Sequence, residues 1–224
     1  MEMKRTPEPE LMTDDVQAQA YAEADFEDPH RRFIEQFIKQ FGAEDNKGYV
    51  LDLGCGPGDI SFRFAKTFPK CIVHGVDGSE AMLRYGHEIL SKKYDIQERV
   101  KLIHGLLPGA TLPRDQYDII ISNSILHHLK NPQDLWTTIK SYADRSTPIF
   151  IMDLIRPANE QIARNLVEKY AREESWILKL DYFNSFLAAY EIDEIKDQLK
   201  EANLDFLSVY QATDRHVIVS GLYG

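Results

Sequence analysis

The ten residues Val50-Leu51-Asp52-Leu53-Gly54-Cys55-Gly56-Pro57-Gly58-Asp59 constrain this chain more than any other stretch. The first four are compact and mostly apolar, as a strand buried in a parallel sheet must be. Glycines then stand at every second position, and an amphipathic run (Ile60, Phe64, Ala65, Phe68) follows at once. Strand, glycine turn and helix form the opening unit of a nucleotide-binding α/β sheet. The glycines let the chain turn sharply and let a ligand approach the main chain. The helix start adds free N–H groups and a partial positive charge that favour a carboxylate or phosphate.

Further strands follow in order. Cys71–Asp77 is apolar and ends in an acid, before Gly78-Ser79 and a helical pattern carrying Met82, Tyr85 and Ile89. An acid there lies beside the glycine turn and can accept two hydrogen bonds from ribose hydroxyls; the alternative is that Asp77 caps the helix. Val100–His104 reads as the third strand. Gln116–Ser122 reads as the fourth, central by its unbroken apolar run, and it leads into Asn123-Ser124-Ile125-Leu126-His127-His128-Leu129. Pro148–Asp153 reads as the fifth, with Asp153 and Arg156 at the ligand edge. Leu204–Tyr210 and His216–Ser220 read as a terminal hairpin.

Helices are expected over His30–Phe41, stopped by Gly42, and over Ile192–Ala202. Another is expected within Thr13–Phe26, capped by Asp14 or Asp15. Residues 158–190 read as a helical insertion rich in aromatics (Trp176, Tyr182, Phe183, Phe186, Tyr190), which either line a substrate pocket or pack as core. The expected architecture is α/β: a Rossmann-like, seven-stranded, mostly parallel sheet with a C-terminal antiparallel hairpin and helices on both faces. Residues 1–29 form a cap segment, and 30–224 form one domain with the insertion as a lid.

The spacing D-x-G-x-G-x-G over Asp52–Gly58 differs from the G-x-G-x-x-G of dinucleotide folds. It resembles motif I of the class I S-adenosylmethionine (SAM) methyltransferases. The string Tyr117-Asp118-Ile119-Ile120-Ile121-Ser122-Asn123-Ser124-Ile125-Leu126-His127-His128-Leu129 resembles the fourth-strand motif of small-molecule methyltransferases, such as the quinone-biosynthesis and trans-aconitate types. The likeness covers residues 48–153.

The resemblance implies SAM as cofactor. It implies a cofactor site made of Asp52, Gly54, Cys55, Gly56 and Gly58 at the turn, and of Asp77, Gly78, Ser79 and Met82 after the second strand. Asn123 and Ser124 complete it, with Tyr21 closing the pocket from the N-terminal helix. Leu106 stands where many relatives carry an acid for the adenine amino group, so Leu106 and Leu107 would sandwich the ring. The proline-glycine-glycine turn usual before the fifth strand is absent.

The SAM methyl is already activated, so the protein must align the acceptor, exclude water and, for a protonated acceptor, supply a base. His127 and His128 are the candidates. On a regular helix consecutive residues point about 100° apart, so only one of them is expected to face the pocket. His74 and His104 are expected to be packed. No HExxH or Cys/His spacing indicates zinc, and no metal site is expected. The N/D-P-P-[YF] and Pro-Cys signatures of adenine- and cytosine-modifying enzymes are absent.

Net charge is −10 with scattered cations, which argues against a nucleic-acid substrate. No apolar run spans a bilayer, and no signal-peptide h-region is visible. Two cysteines without a CxxC pair fit a reduced, cytoplasmic setting. The expected activity is methyl transfer to a small molecule by a monomer or homodimer. The alternatives are a non-catalytic SAM-binding regulatory or scaffold protein and a methyltransferase of RNA or protein; a nicotinamide dehydrogenase is opposed by the glycine spacing and the hairpin.

Overall fold

The computed structural model describes residues 3–8, 15–24, 26–44 and 46–224. Its elements run α1 (Asp15–Glu23), α2 (Glu27–Phe41), β1 (Gly48–Leu53), α3 (Asp59–Thr67), β2 (Cys71–Asp77), α4 (Glu80–Leu90), β3 (Val100–His104), β4 (Ile119–Asn123), α5 (Gln133–Tyr142) and β5 (Pro148–Leu154). They continue with α6 (Glu160–Tyr170), α7 (Trp176–Ala188), α8 (Ile192–Glu201), β6 (Ser208–Gln211) and β7 (His216–Leu222).

Among the described residues there is one seven-stranded sheet, ordered β3-β2-β1-β4-β5-β7-β6. Strands β1 to β5 are parallel, and β7 runs antiparallel to both β5 and β6. This is the fold the sequence led us to expect. The strand order reverses between β1 and β4, and in open α/β sheets ligands bind outside the carboxyl ends at such a switch point. No helix of the described residues is long and apolar enough to cross a membrane.

The period of two along each strand sorts side chains between two cores. Val50, Ile119, Ile121, Phe150 and Met152 face a layer made by α2, α3 and α4. Leu51, Leu53, Ile120, Ile149 and Ile151 face α5 and α8. Phe37 of α2 is the hub of the first layer, with its ring 4.9 Å from Phe64, 5.6 Å from Phe68 and 5.6 Å from Phe150.

Helix α2 begins at Glu27, one turn earlier than expected at His30. Pro29 sits in its first turn, where the missing N–H would have had no partner in any case. Helix α1 begins at Asp15; Thr13 and Asp14 lie outside the described residues. The fourth strand starts at Ile119 rather than Gln116, although Tyr117 makes an isolated bridge to Ala143. In the insertion, α6 and α7 make a small core of Leu154, Leu166, Val167 and Phe186.

Replacing Phe37 by Ala removes a fully buried ring and should destabilise the fold by about 3–5 kcal/mol. Thermal unfolding followed by circular dichroism should show a fall in Tm of about 10 °C. A fall of less than about 3 °C would show that the aromatic layer does not organise this face.

Candidate functional site

At the switch point the β1–α3 turn takes left-handed backbone at Gly54 (φ 71°) and Gly56 (φ 54°). At Gly54 a Cβ would stand 2.7 Å from the Ile125 Cβ, so a side chain there collides with the loop after β4. At Gly56 a Cβ would meet nothing within 4 Å. Gly58, also at positive φ, is the N-cap of α3.

A cavity of about 560 Å³ opens above this turn. Asp52, Gly54, Cys55, Gly56, Asp77, Gly78, Ser79, Met82, Leu106, Leu107, Asn123, Ser124, Tyr21, His127 and His128 all line it. Of the residues expected to hold the cofactor or to act as base, Gly58 alone does not; it sits behind the turn against Phe62.

Asp77 braces the turn. Its Oδ2 accepts from the Gly56 N–H at 2.8 Å and its Oδ1 from the Ser79 N–H at 2.7 Å. It is not the cap of α4, because the Ser79 hydroxyl accepts from the Met82 N–H in that role. Burial raises the Asp77 carboxyl above its ordinary value, and the two N–H donors oppose the shift. Asp52 is more extreme: burial raises it to about 7 against the pull of the Ser61 hydroxyl, which donates to it at 2.6 Å. Burial likewise pushes the Cys55 thiol well above its usual range.

Helix α1 packs on α4 through Ala18, Tyr21, Ala81 and Met82. Tyr21 stacks at 4.7 Å on Phe26 and forms one wall; burial, with Asp59 and Asp77 adding, raises its hydroxyl to about 12. Asn123 ends β4 with its Oδ1 buried and without a hydrogen-bond partner among the described residues. A buried acceptor in that state calls for a donor from a ligand or water. Ser124 next to it takes φ 59°, strained for a residue with a side chain.

The opposite end of the cavity differs from the expectation. His127 and His128 lie in a 3-10 turn (Leu126–His128), not on a regular helix. Both line the cavity, with ring centroids 4.2 Å apart, so the expectation that only one faces it is corrected. Asp153, 2 % exposed, accepts from His127 Nδ1 at 2.5 Å, from the Leu126 N–H at 2.7 Å and from the Leu154 N–H at 2.7 Å. Burial alone would lower His127, but Asp153 and then Glu8 hold it above its ordinary value. For Asp153 burial acts upward, yet the imidazole and the N–H donors keep it below.

Sequence reasoning missed Glu8. The N-terminal strand of chain crosses this end: the Thr6 N–H donates to the Leu187 carbonyl, and Arg5 donates to the Ala188, His127 and Leu129 carbonyls. Glu8 Oε1 thereby comes 3.1 Å from His128 Nδ1, 3.5 Å from His127 Nε2 and 3.1 Å from Ser185 Oγ. An acid held between Pro7 and Pro9, ahead of a helix, was the signal available. Arg215 and His216 at the start of β7 also line the cavity and were missed; burial first, then Arg215, depresses His216 to about 3, so it is neutral.

Three expectations are settled by geometry. His104 is half-exposed at the end of the edge strand, its Nε2 donating to the Gly78 carbonyl, whereas His74 is packed beside Tyr117. Arg156 points away from the cavity into Glu191 and Glu194. Of the insertion aromatics Trp176 is in solvent, Phe186 and Tyr190 are core, and Tyr182 lines the cavity.

Residues 44–203 match the family model described as "Methyltransferase domain". Malonyl-[acyl-carrier protein] O-methyltransferase of Priestia megaterium is 31 % identical over 125 residues, covering 55 % of this chain and 42 % of that protein. Trans-aconitate 2-methyltransferase of Rhodopseudomonas palustris is 27 % identical over 156 residues, covering 67 % and 55 %. The matches thus span about half the length of these relatives. Other relatives are named as a tRNA U34 carboxymethyltransferase and a protein arginine N-methyltransferase, so the likeness covers several kinds of acceptor. A solved SAM-dependent methyltransferase from Aquifex aeolicus has the same fold, with TM-score 0.64, 18 % identity and coverage of 93 % of this chain and 98 % of that one.

The Asp52 carboxyl sets a pH dependence. Its folded value of about 7 lies above the ordinary 3.8, so the protonated form stabilises the fold and a penalty grows as pH rises between the two. Asp52→Asn escapes the penalty. The difference in Tm, Asp52→Asn minus wild type, should increase from pH 5 to 7 and level off above about 7.5. A difference independent of pH would refute the assignment.

Proposed function

This chain belongs to the methyltransferase-domain family, and on that basis we propose that it transfers the methyl group of SAM to a small-molecule acceptor. One observation carries the reading: a single cavity of about 560 Å³ has the glycine turn with Asp77 at one end and the histidine pair at the other. A volume of that order suits a cofactor and a small partner. It is roofed by α1, and a helical insertion flanks it.

The residues fit the cofactor. Asp77 has the carboxylate for ribose hydroxyls, Gly56 leaves space for close approach, and Leu106 and Leu107 offer apolar faces to an aromatic ring. Asn123 Oδ1 needs a donor, which an ammonium supplies. The buried acids Asp52 and Asp77 favour a cationic ligand on this side. SAM supplies a methyl group activated on a sulfonium and departs as S-adenosylhomocysteine.

The chain itself positions and shields. Tyr21 and Phe26 exclude water from the cofactor end. At the other end an acceptor O–H or N–H meets His127 and His128, where its proton is given up; Asp153 fixes the His127 ring with Nε2 turned toward Glu8. Arg215 favours an acceptor with negative charge. The net charge of −10 and the roofed cavity support a small acceptor over RNA, and the two free, buried cysteines support a cytoplasmic location.

The test is transfer of radiolabelled methyl from SAM to a panel of small hydroxy, amino and carboxylic acids, with bulk tRNA and mixed protein as competing acceptors. Label should enter the small-molecule fraction only; label in tRNA or protein would overturn the acceptor class, and none in any fraction would favour a non-catalytic binder. Asp77→Ala should weaken SAM at least about tenfold, through loss of charged hydrogen bonds. Unchanged affinity by calorimetry would remove Asp77 from the ribose role.

A further inference from the structure

The Glu8–His127–His128 cluster holds more chemistry than proton uptake requires. One ligand atom from each of the three lies within 4.8 Å of the others, at the acceptor end of the cavity. Two edges of that triangle measure 3.1 Å and 3.5 Å, from Glu8 Oε1 to His128 Nδ1 and to His127 Nε2. Bonds of about 2.0–2.1 Å to a tetrahedral ion put neighbouring ligand atoms about 3.3 Å apart. Those two separations have the size found between ligands around one ion.

The surroundings agree. Asp153 accepts from His127 Nδ1, which fixes the tautomer and leaves the Nε2 lone pair toward Glu8. A carboxylate behind an imidazole is the usual support of a metal-bound histidine. The Glu8 side chain is 11 % exposed and those of His127 and His128 are 3 % and 17 % exposed, so the donors are withdrawn from water, and the two imidazoles line the cavity. Among the described residues this is the one group of three such donors. The sequence showed no metal spacing because Glu8 arrives from the far N-terminus.

We propose that Glu8, His127 and His128 bind one divalent transition-metal ion, zinc by donor preference, with Asp153 positioning His127. The ion pins the N-terminal strand of chain across the loop after β4 and keeps coordination positions for water or an acceptor oxygen. With the ion in place the two imidazoles are ligands, and an acceptor hydroxyl bound to it is the more acidic for it. This last role rests on the methyl-transfer reading; the binding of the ion does not.

The experiment uses untagged full-length protein stripped with a chelator and titrated at pH 7.5 with Co²⁺, followed by its visible d–d absorption, then with Zn²⁺ in competition. One equivalent should bind with Kd below about 10 µM. Glu8→Gln and His128→Gln should each weaken it by more than tenfold, and Asp153→Asn by about 10–100-fold. Glu8→Gln lies outside the main core, and circular dichroism of the variant checks that it folds. The absence of saturable 1:1 binding below about 100 µM, or Glu8→Gln binding like wild type, would overturn the site. S-adenosylhomocysteine is titrated calorimetrically into the same samples: its binding without metal binding sinks only the metal site, and metal binding without it sinks only the cofactor reading.

Discussion

The turn between β1 and α3 is the constraint on which the rest of this structure depends. It is tied to the neighbouring strand as well as to itself: the Gly54 and Cys55 N–H groups donate to the Val76 carbonyl, the Gly56 N–H donates to Asp77, and the Gly58 N–H donates to the Cys55 carbonyl. The absence of a side chain at Gly54 lets Ile125 press against it, so the loop bearing His127 and His128 is registered on the same turn. Three strand ends, β1, β2 and β4, are thus locked together by two left-handed residues and one carboxylate. The cavity is the space those ends leave, and α1 and α7 close it.

Charge is distributed along that space with a clear division. Asp52 and Asp77 stand at the carboxyl ends of β1 and β2 with burial pushing both upward, so a cation on that side relieves them. Asp153 at the end of β5 already has its partner in His127 and is held down. One end of the cavity therefore asks for positive charge, and the other offers two imidazoles and Arg215 for a second molecule. A cationic methyl donor meeting a polar or anionic acceptor matches that division.

The parts of this arrangement legible in the sequence were those with local causes. Unbroken apolar runs marked β1, β2, β4 and β5, and the glycine spacing marked the turn. Asp77 was visible because the end of a strand beside a glycine turn has few other uses. What escaped was set by distance or by local geometry that periodicity does not encode. The first turn of α2 was hidden by Pro29, although a first turn tolerates proline. His104 was taken as packed, but β3 is the sheet edge and leaves it half-exposed. A 3-10 turn in place of a regular helix brought both His127 and His128 to the cavity. Glu8 reaches them only because Arg5 and Thr6 anchor the N-terminal strand of chain on α7 and the loop after β4.

The most direct measurement is calorimetric titration of the wild-type protein with S-adenosylhomocysteine, with NADH as the control. The account predicts one site of micromolar affinity for the first and no heat of binding for the second. No binding of S-adenosylhomocysteine, or binding of NADH in its place, would contradict the assignment of the cavity above the glycine turn.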